Sequence, residues 1–163
     1  MRKLNDKIVS LKKLKLIVNK LKKENKQIVT TNGVFDLLHV GHVRYLERAR
    51  KLGDVLIVGV NSDSSVKTNK GDKRPINNEK SRLIVLAGIE SVDYVFLFNE
   101  KDPRKWLSEL RPDVHVKAGD YKLGQIVERE AVEKSGGMVV IERMEKGYST
   151  TALINKICNT HKT

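Results

Sequence analysis

The chain has 163 residues, 39% of them hydrophobic and 32% charged, with a formal net charge of +12. That length suits one domain with its own core and no disulfide or metal staples, and no apolar run approaches the roughly 20 residues of a membrane span. The charge is uneven: residues 1–26 hold ten Lys or Arg against Asp6 and Glu24, a net +8, which leaves only +4 for the remaining residues. A mildly basic body suits an enzyme that handles small anions better than a dedicated nucleic-acid binder. The basic opening Met1-Arg2-Lys3 is followed by no apolar segment or small-residue cleavage site, so no signal peptide is expected. The one cysteine, Cys158, cannot form an intrachain disulfide. Both features favour a cytoplasmic protein.

Residues 10–24 predict an amphipathic helix with Ser10 as N-cap, because Leu11, Leu14, Val18 and Leu21 recur at helical spacing among lysines. The simplest expectation is a helix docked on the domain or on a second subunit, its lysine face solvated. A membrane-surface or nucleic-acid role is the alternative. Gln27 to Thr31 then reads as a buried strand, broken by Asn32-Gly33, and a helix follows from about Gly41 to Leu52. Val55 to Val60 is a nearly continuous apolar strand, as in a parallel sheet covered on both faces. Asn61 to Asn78 reads as a polar loop, residues 79–89 as a helix, Tyr94 to Phe98 as a strand and Pro103 to Leu110 as a short helix. Val114 to Val116 predicts a strand, 125–134 a helix, Met138 to Ile141 a strand and 150–158 the last helix. This alternation predicts an α/β fold, a Rossmann-like doubly wound parallel sheet. Residues 27–163 would form the single domain and 1–26 a basic helical extension. Ligands of such sheets bind beyond the carboxyl ends of the strands, so the loops at 31–42, 60–78, 98–102, 117–124 and 142–150 are the ones to search.

The first of these loops, Thr31-Asn32-Gly33-Val34-Phe35-Asp36-Leu37-Leu38-His39-Val40-Gly41-His42, joins a strand to a helix start. Gly33 and Gly41 let backbone approach a ligand without a Cβ in the way. The helix start offers free N–H groups and a positive dipole end to phosphate. His39 and His42 each supply a hydrogen-bond donor where charge would build on a reacting phosphate. Two histidines three apart could instead ligate zinc, but no further Cys, His or acidic cluster completes such a site, so no protein-bound metal is expected. Asp36 reads either as a turn-fixing residue or as a substrate contact. On the same sheet edge lie Asn61, Lys67 and Lys70, with Arg82 as a possible bidentate phosphate clamp. Lys117-Ala118-Gly119-Asp120 ends a later strand, where Lys117 could touch phosphate and Asp120 could hold a sugar hydroxyl or a metal-bound water, or simply cap the turn. Gly147-Tyr148-Ser149-Thr150-Thr151 opens the last helix, where hydroxyls and free N–H groups suit a phosphate. Trp106 and His115 look structural, and Cys158 reads as a buried or half-buried thiol.

The turn ending in His39-Val40-Gly41-His42 resembles the signature of the HxGH nucleotidyltransferases. Across residues 27–157 the resemblance narrows. Asn61-Ser62-Asp63, Arg74-Pro75-Ile76-Asn77, Lys117-Ala118-Gly119-Asp120-Tyr121 and Gly147-Tyr148-Ser149-Thr150-Thr151 are similar to segments of the bacterial heptose 1-phosphate adenylyltransferases. Ala118 stands where glycine is usual in that family. The resemblance implies that ATP and D-glycero-β-D-manno-heptose 1-phosphate give ADP-heptose and pyrophosphate, for lipopolysaccharide and surface-sugar synthesis. It implies ATP contacts at Gly33, Val34, Phe35, His39, Gly41, His42 and Gly147 to Thr151. Substrate contacts would come from Asp36, Asn61, Lys67, Lys70, Arg82, Lys117, Gly119 and Asp120, with His39, His42 and Lys70 catalytic. Mg²⁺ would arrive with ATP, held mainly by the nucleotide and water. In some bacteria this half is fused to a sugar kinase; a stand-alone homodimer, with neither nucleic acid nor membrane as partner, is the expectation here. The nearest rival is a glycerol-3-phosphate cytidylyltransferase, which shares the first and last motifs. A non-catalytic nucleic-acid binder is the rival of another class, against which the 5% aromatic content counts.

Overall fold

The computed structural model describes residues 3–119, 122–143, 145 and 147–161. Helix α1 (Leu4–Lys7) and helix α2 (Leu11–Lys23) precede strand β1 (Ile28–Gly33) and helix α3 (Val40–Arg50). Strand β2 (Val55–Asn61), helices α4 (Asp63–Lys70) and α5 (Glu79–Ala87), strand β3 (Tyr94–Phe98) and helix α6 (Arg104–Leu110) follow. The chain continues through strand β4 (Val114–Ala118), a short 3-10 turn at Leu123–Gln125, helix α7 (Arg129–Glu133), strand β5 (Met138–Glu142) and helix α8 (Thr150–Thr160). The strands form one parallel sheet in the order β3-β2-β1-β4-β5. The chain winds outward one way from β1 and then the other, so the order reverses between β1 and β4. That is where an open α/β sheet leaves a crevice for ligand.

Local chemistry sets the helix starts. Ser10, Ser62, Asn78 and Ser149 each accept a hydrogen bond from the backbone N–H three residues on, satisfying one of the free donors of α2, α4, α5 and α8. α4 occupies part of the segment expected to be a polar loop. Its single apolar residue, Val66, is fully buried, too little to register as periodicity. The expected helix over 125–134 is split into the 3-10 turn and the five residues of α7.

Two apolar layers sandwich the sheet. One joins Tyr45, Leu46 and Ala49 of α3 to Leu86 of α5 and the β1–β2 strands. The other joins Leu14 and Val18 of α2 to Trp106 and Leu107 of α6 and Val132 of α7. Adjacent residues of β1 divide between the layers, Ile28 into the second and Val29 into the first, as alternating side chains must. Leu14 and Val18 are 0% and 1% exposed, and burying each contributes about 1.5–3 kcal/mol. The basic N-terminal segment is thus packed into the same core as the strands. Its Ile8 also bridges to Val95, and Val9 N–H donates to Val95 O, along the outer edge of β3. Trp106 is a packing residue, fully buried with its ring edge-on to Phe96. Cys158, expected to be buried or half-buried, is exposed on α8, a helix with no buried residue.

Candidate active site

β1 ends in a sharp turn. Phe35 takes a left-handed backbone (φ 49°), which costs a bulky residue on the order of 1–3 kcal/mol. Its buried ring offsets that cost by filling the space beside Gly33, where a Cβ would lie 3.0 Å from Phe35 Cε2. The turn delivers His39 to the N-cap of α3 in an extended conformation, with its side chain making no capping bond. The ring is therefore free to stack on His42, centroids 3.9 Å apart at 23°. Nδ1 of both rings is buried with no partner among the described residues, and so is Oδ1 of Asn32. Unpaired buried polar atoms are costly, and their concentration here marks a place made for a polar ligand. Burial, followed by repulsion from His39, pushes the His42 pKa down to about 4, and burial also lowers that of His39. Both rings are thus neutral at pH 7, each with one N–H to donate.

The start of α8 closes over this pair. Thr150 Oγ1 donates to Leu37 O at 3.2 Å, tying the helix to the histidine turn. Tyr148 lies nearly parallel to His39, ring centroids 6.4 Å apart. Gly41 permits the approach, since a Cβ there would sit 3.0 Å from His39 Nδ1 and 3.3 Å from Tyr148 Cβ. The starts of two helices, α3 and α8, both line the space between, where the positive end of a helix dipole favours an anion. Behind it, Thr31 of β1 donates to Tyr45 Oη, which donates to Val116 O of β4 at 3.0 Å. The resulting cavity has a volume of about 380 Å³, within the range of small-ligand sites.

Of the residues expected to bind nucleotide, Gly33, Val34, Phe35, His39, Gly41, His42, Tyr148, Ser149, Thr150 and Thr151 line this cavity. Gly147, with φ 84°, makes the bend that admits Tyr148. Of the expected substrate residues, Asp36 and Lys70 line it. Lys70, at the end of α4, is exposed, with no ion-pair partner among the described residues. Asp36 is 3% exposed and accepts from Ile76 N–H, Asn77 N–H and Arg74 Nε at 2.7–2.9 Å. Burial opposes its charge, but these donors outweigh burial and hold the carboxyl below the usual range. Asp36 therefore pins the 74–77 loop, and its oxygens are already engaged.

Arg82 does not stand ready as a phosphate clamp. Its side chain is fully buried, and it donates to Asn77 O, Val34 O, Asn61 O and Asp63 Oδ1. It is the knot that joins three loops behind the site. Asn61 is buried too, its amide donating to Ser65 Oγ. Lys67 is exposed on α4 away from the cavity lining. Lys117 is turned to Glu128, Nζ to Oε1 2.5 Å. Burial opposes the charge on Glu128, but His115 and Lys117 outweigh it and hold its pKa at about 2. His115 itself is buried, its Nδ1 2.9 Å from Thr30 Oγ1. Gly119 is buried and follows β4 rather than lining the cavity; Asp120 and Tyr121 lie outside the described residues. The positive φ falls on Gly119 (140°) and not on Ala118, so alanine fits its place in β4 without backbone strain.

The structure adds lining residues that sequence reasoning passed over: Asn32, Tyr45, Arg74, Ala118 and Glu145. Arg74 had a signal, since a cation beside the histidine loop was legible in Arg74-Pro75-Ile76-Asn77. Glu145 had none. It reaches the cavity because Arg44 of α3 pairs with it at 2.5 Å, while Arg48 spans Glu142 (2.9 Å) and Glu145 (3.6 Å). Among the described residues no three His, Cys, Asp or Glu side chains group as metal ligands. With Asp36 committed to its donors and Glu145 to arginines, the lining suits a cation carried on phosphate oxygens rather than one caged by protein.

Residues 30–156 match the cytidylyltransferase-like family. The chain is 52% identical over 150 residues to the bifunctional protein HldE of Haemophilus ducreyi, covering 92% of this chain and 32% of that protein. It is 46% identical over 154 residues to the bifunctional protein HldE of Citrifermentans bemidjiense, covering 93% and 32%. The chain thus spans about a third of the length of these relatives. Among solved structures, a lipopolysaccharide core biosynthesis protein from Thermoplasma volcanium superposes with a TM-score of 0.62 at 37% identity, covering 76% of this chain and 99% of that one. Pantoate-beta-alanine ligase from Francisella tularensis superposes with a TM-score of 0.60 at 18% identity, over 93% of this chain and 77% of that one, a likeness of fold alone. With a family match over residues 30–156 and relatives about half identical across nine-tenths of its length, the chain belongs to the cytidylyltransferase-like family of nucleotidyltransferases.

Proposed function

We propose that the chain transfers the adenylyl group of ATP to D-glycero-β-D-manno-heptose 1-phosphate, releasing pyrophosphate and forming ADP-heptose. The observation that carries the transfer chemistry is the stacked, neutral His39–His42 pair with unpartnered Nδ1 atoms, facing the start of α8. The choice of sugar and base rests on the HldE relatives and on the lipopolysaccharide core biosynthesis protein.

The substrate phosphate is already an anion, so its oxygen needs no strong base to attack the α-phosphorus. The new O–Pα bond forms as the bond from Pα to the β-bridging oxygen breaks, and pyrophosphate leaves in line. The protein's part is positioning and charge stabilisation. His39 and His42 donate to phosphate oxygens, the N–H groups of α3 and α8 hold the triphosphate, and Lys70 and Arg74 supply fixed positive charge. A divalent ion, Mg²⁺ by expectation, would neutralise part of the triphosphate charge. The chain is read as a cytoplasmic homodimer. No described helix is long and apolar enough to cross a membrane.

The test is a matrix of ATP or CTP against heptose 1-phosphate or glycerol 3-phosphate, with pyrophosphate release as readout. Turnover with ATP and heptose 1-phosphate at least about a hundredfold above the other pairs is expected; turnover with CTP and glycerol 3-phosphate instead overturns the substrate assignment. His42→Ala should lower turnover about 10²–10³-fold while ATP affinity changes less than about threefold. An equal loss in both would remove the transition-state role.

A further inference from the structure

We propose that the outward face of α2 is a docking surface for an anionic lipid bilayer. The helix is two-sided. Leu14 and Val18 face the core, 0% and 1% exposed. At about 100° per residue, Lys12, Lys13, Asn19, Lys20 and Lys23 all fall on the opposite side, around Leu16, and every one of them is exposed. Leu16 is 68% exposed, the most exposed large apolar side chain among the described residues.

The lysines of this helix divide by role. Those at its flanks serve the fold: Lys15 pairs with Glu109 of α6 at 2.7 Å, and Lys22 donates to Arg111 O. The outward lysines serve no contact in the fold among the described residues. The one exception, Lys20 with Glu24 at 3.9 Å, joins two well-exposed groups and contributes little. Helix α2 itself contains no acidic residue. The outward face is therefore a cationic patch with an aliphatic centre, complementary to a surface that is negative outside and apolar beneath.

That pairing of features favours lipid over nucleic acid. Four lysines can lay their aliphatic stems along a bilayer surface with the ammonium groups at headgroup level, while Leu16 enters the acyl boundary. Each lysine near an anionic leaflet adds to the attraction. The face has no arginine for bidentate phosphate contact and no aromatic ring to stack on a base. Because α2 and α3 pack in opposite layers, a protein lying on α2 keeps the mouth of the His39–His42 cavity clear.

The test is co-sedimentation of the full chain with vesicles of equal parts phosphatidylglycerol and phosphatidylcholine, and with vesicles of phosphatidylcholine alone. Binding to the anionic vesicles only is expected, weakened at least about tenfold by high salt. The quadruple variant Lys12→Gln, Lys13→Gln, Lys20→Gln, Lys23→Gln should lose at least about tenfold in partitioning. Leu16→Ser should lose about threefold to tenfold without changing the salt dependence. Both variants should keep the wild-type circular dichroism spectrum and solution turnover, since neither touches the cavity. Wild-type binding retained by the quadruple variant, no preference for anionic vesicles, or tighter lysine-dependent binding to DNA or to a second copy of the chain would each overturn the proposal.

Discussion

On the β2 side of the cavity the loops are tied by buried charge, whereas on the β5 side they are tied by charge at the surface. Asp36, Arg74 and Arg82 knot residues 34, 61, 63 and 76–77 together, with the Asp36 and Arg82 side chains 1% and 0% exposed. Arg44 and Arg48 hold Glu142 and Glu145 with side chains 23–55% exposed. A buried, fully donated network is rigid, insensitive to salt and costly to break. Partly exposed pairs contribute little each and weaken as salt rises. The histidine wall is thus preorganised, while the wall carrying Tyr148 and Ser149 is adjustable.

The largest test of that contrast is Asp36→Ala. It leaves the half-buried Arg74 guanidinium and two backbone N–H groups without their acceptor, so denaturant unfolding should show a loss of about 2–4 kcal/mol. A loss under about 1 kcal/mol would mean that the β2 side is not held as described. Next comes Gly41→Ala, which acts where the walls meet. The added methyl presses on His39 and on Tyr148, and turnover should fall about 10–100-fold with stability changed by less than about 2 kcal/mol. Unchanged turnover would show that both walls yield, and with them the preorganisation. The double variant Arg44→Ala, Arg48→Ala should cost only about 1 kcal/mol of stability while raising KM for ATP about threefold to tenfold. KM should rise with salt less steeply in the variant than in wild type; parallel salt curves would separate the arginines from loop placement.

The smallest expected effect lies in pH. The folded-state pKa of His42, about 4, lies below the roughly 6.5 of an unfolded histidine. The unfolded chain therefore binds more protons between those values, and stability is full above pH 6.5 and is lost as pH falls toward 4. Thermal midpoints over that window should decline more for wild type than for His42→Gln. A bound triphosphate should raise the histidine pKa values, so titration calorimetry near pH 6 should register proton uptake in buffers of different ionisation enthalpy. Proton release would contradict histidine–phosphate contact.

Much of this was legible in the sequence because the signals are local. Val55 to Val60 reads as a buried strand from composition alone, and Ser10 announces the start of its helix. The twelve residues from Thr31 to His42 contain the turn, the close-packing glycine and both histidines within one segment. What was not legible is long-range. Arg82 looks like a free cation until Val34, Asn61, Asp63 and Asn77 close round it from three other loops. The donors to Asp36 lie 38–41 residues along the chain. Lys117 faces Glu128 because β4 turns alternate residues to opposite faces, and that partner lies in the loop before α7. α4 stayed hidden because a helix with one buried apolar residue has no periodicity to read.

The strand of contacts that Ile8 and Val9 make with Val95 bears on more than packing. A parallel sheet ends in rows of N–H and C=O groups that can template another chain. On the β3 side Ile8 and Val9 occupy part of that row at Val95, with Lys7 Nζ donating to Ile89 O just beyond. The segment shields part of that edge from pairing with another strand, and because it precedes β3 in the chain it can close the sheet only after β3 has emerged.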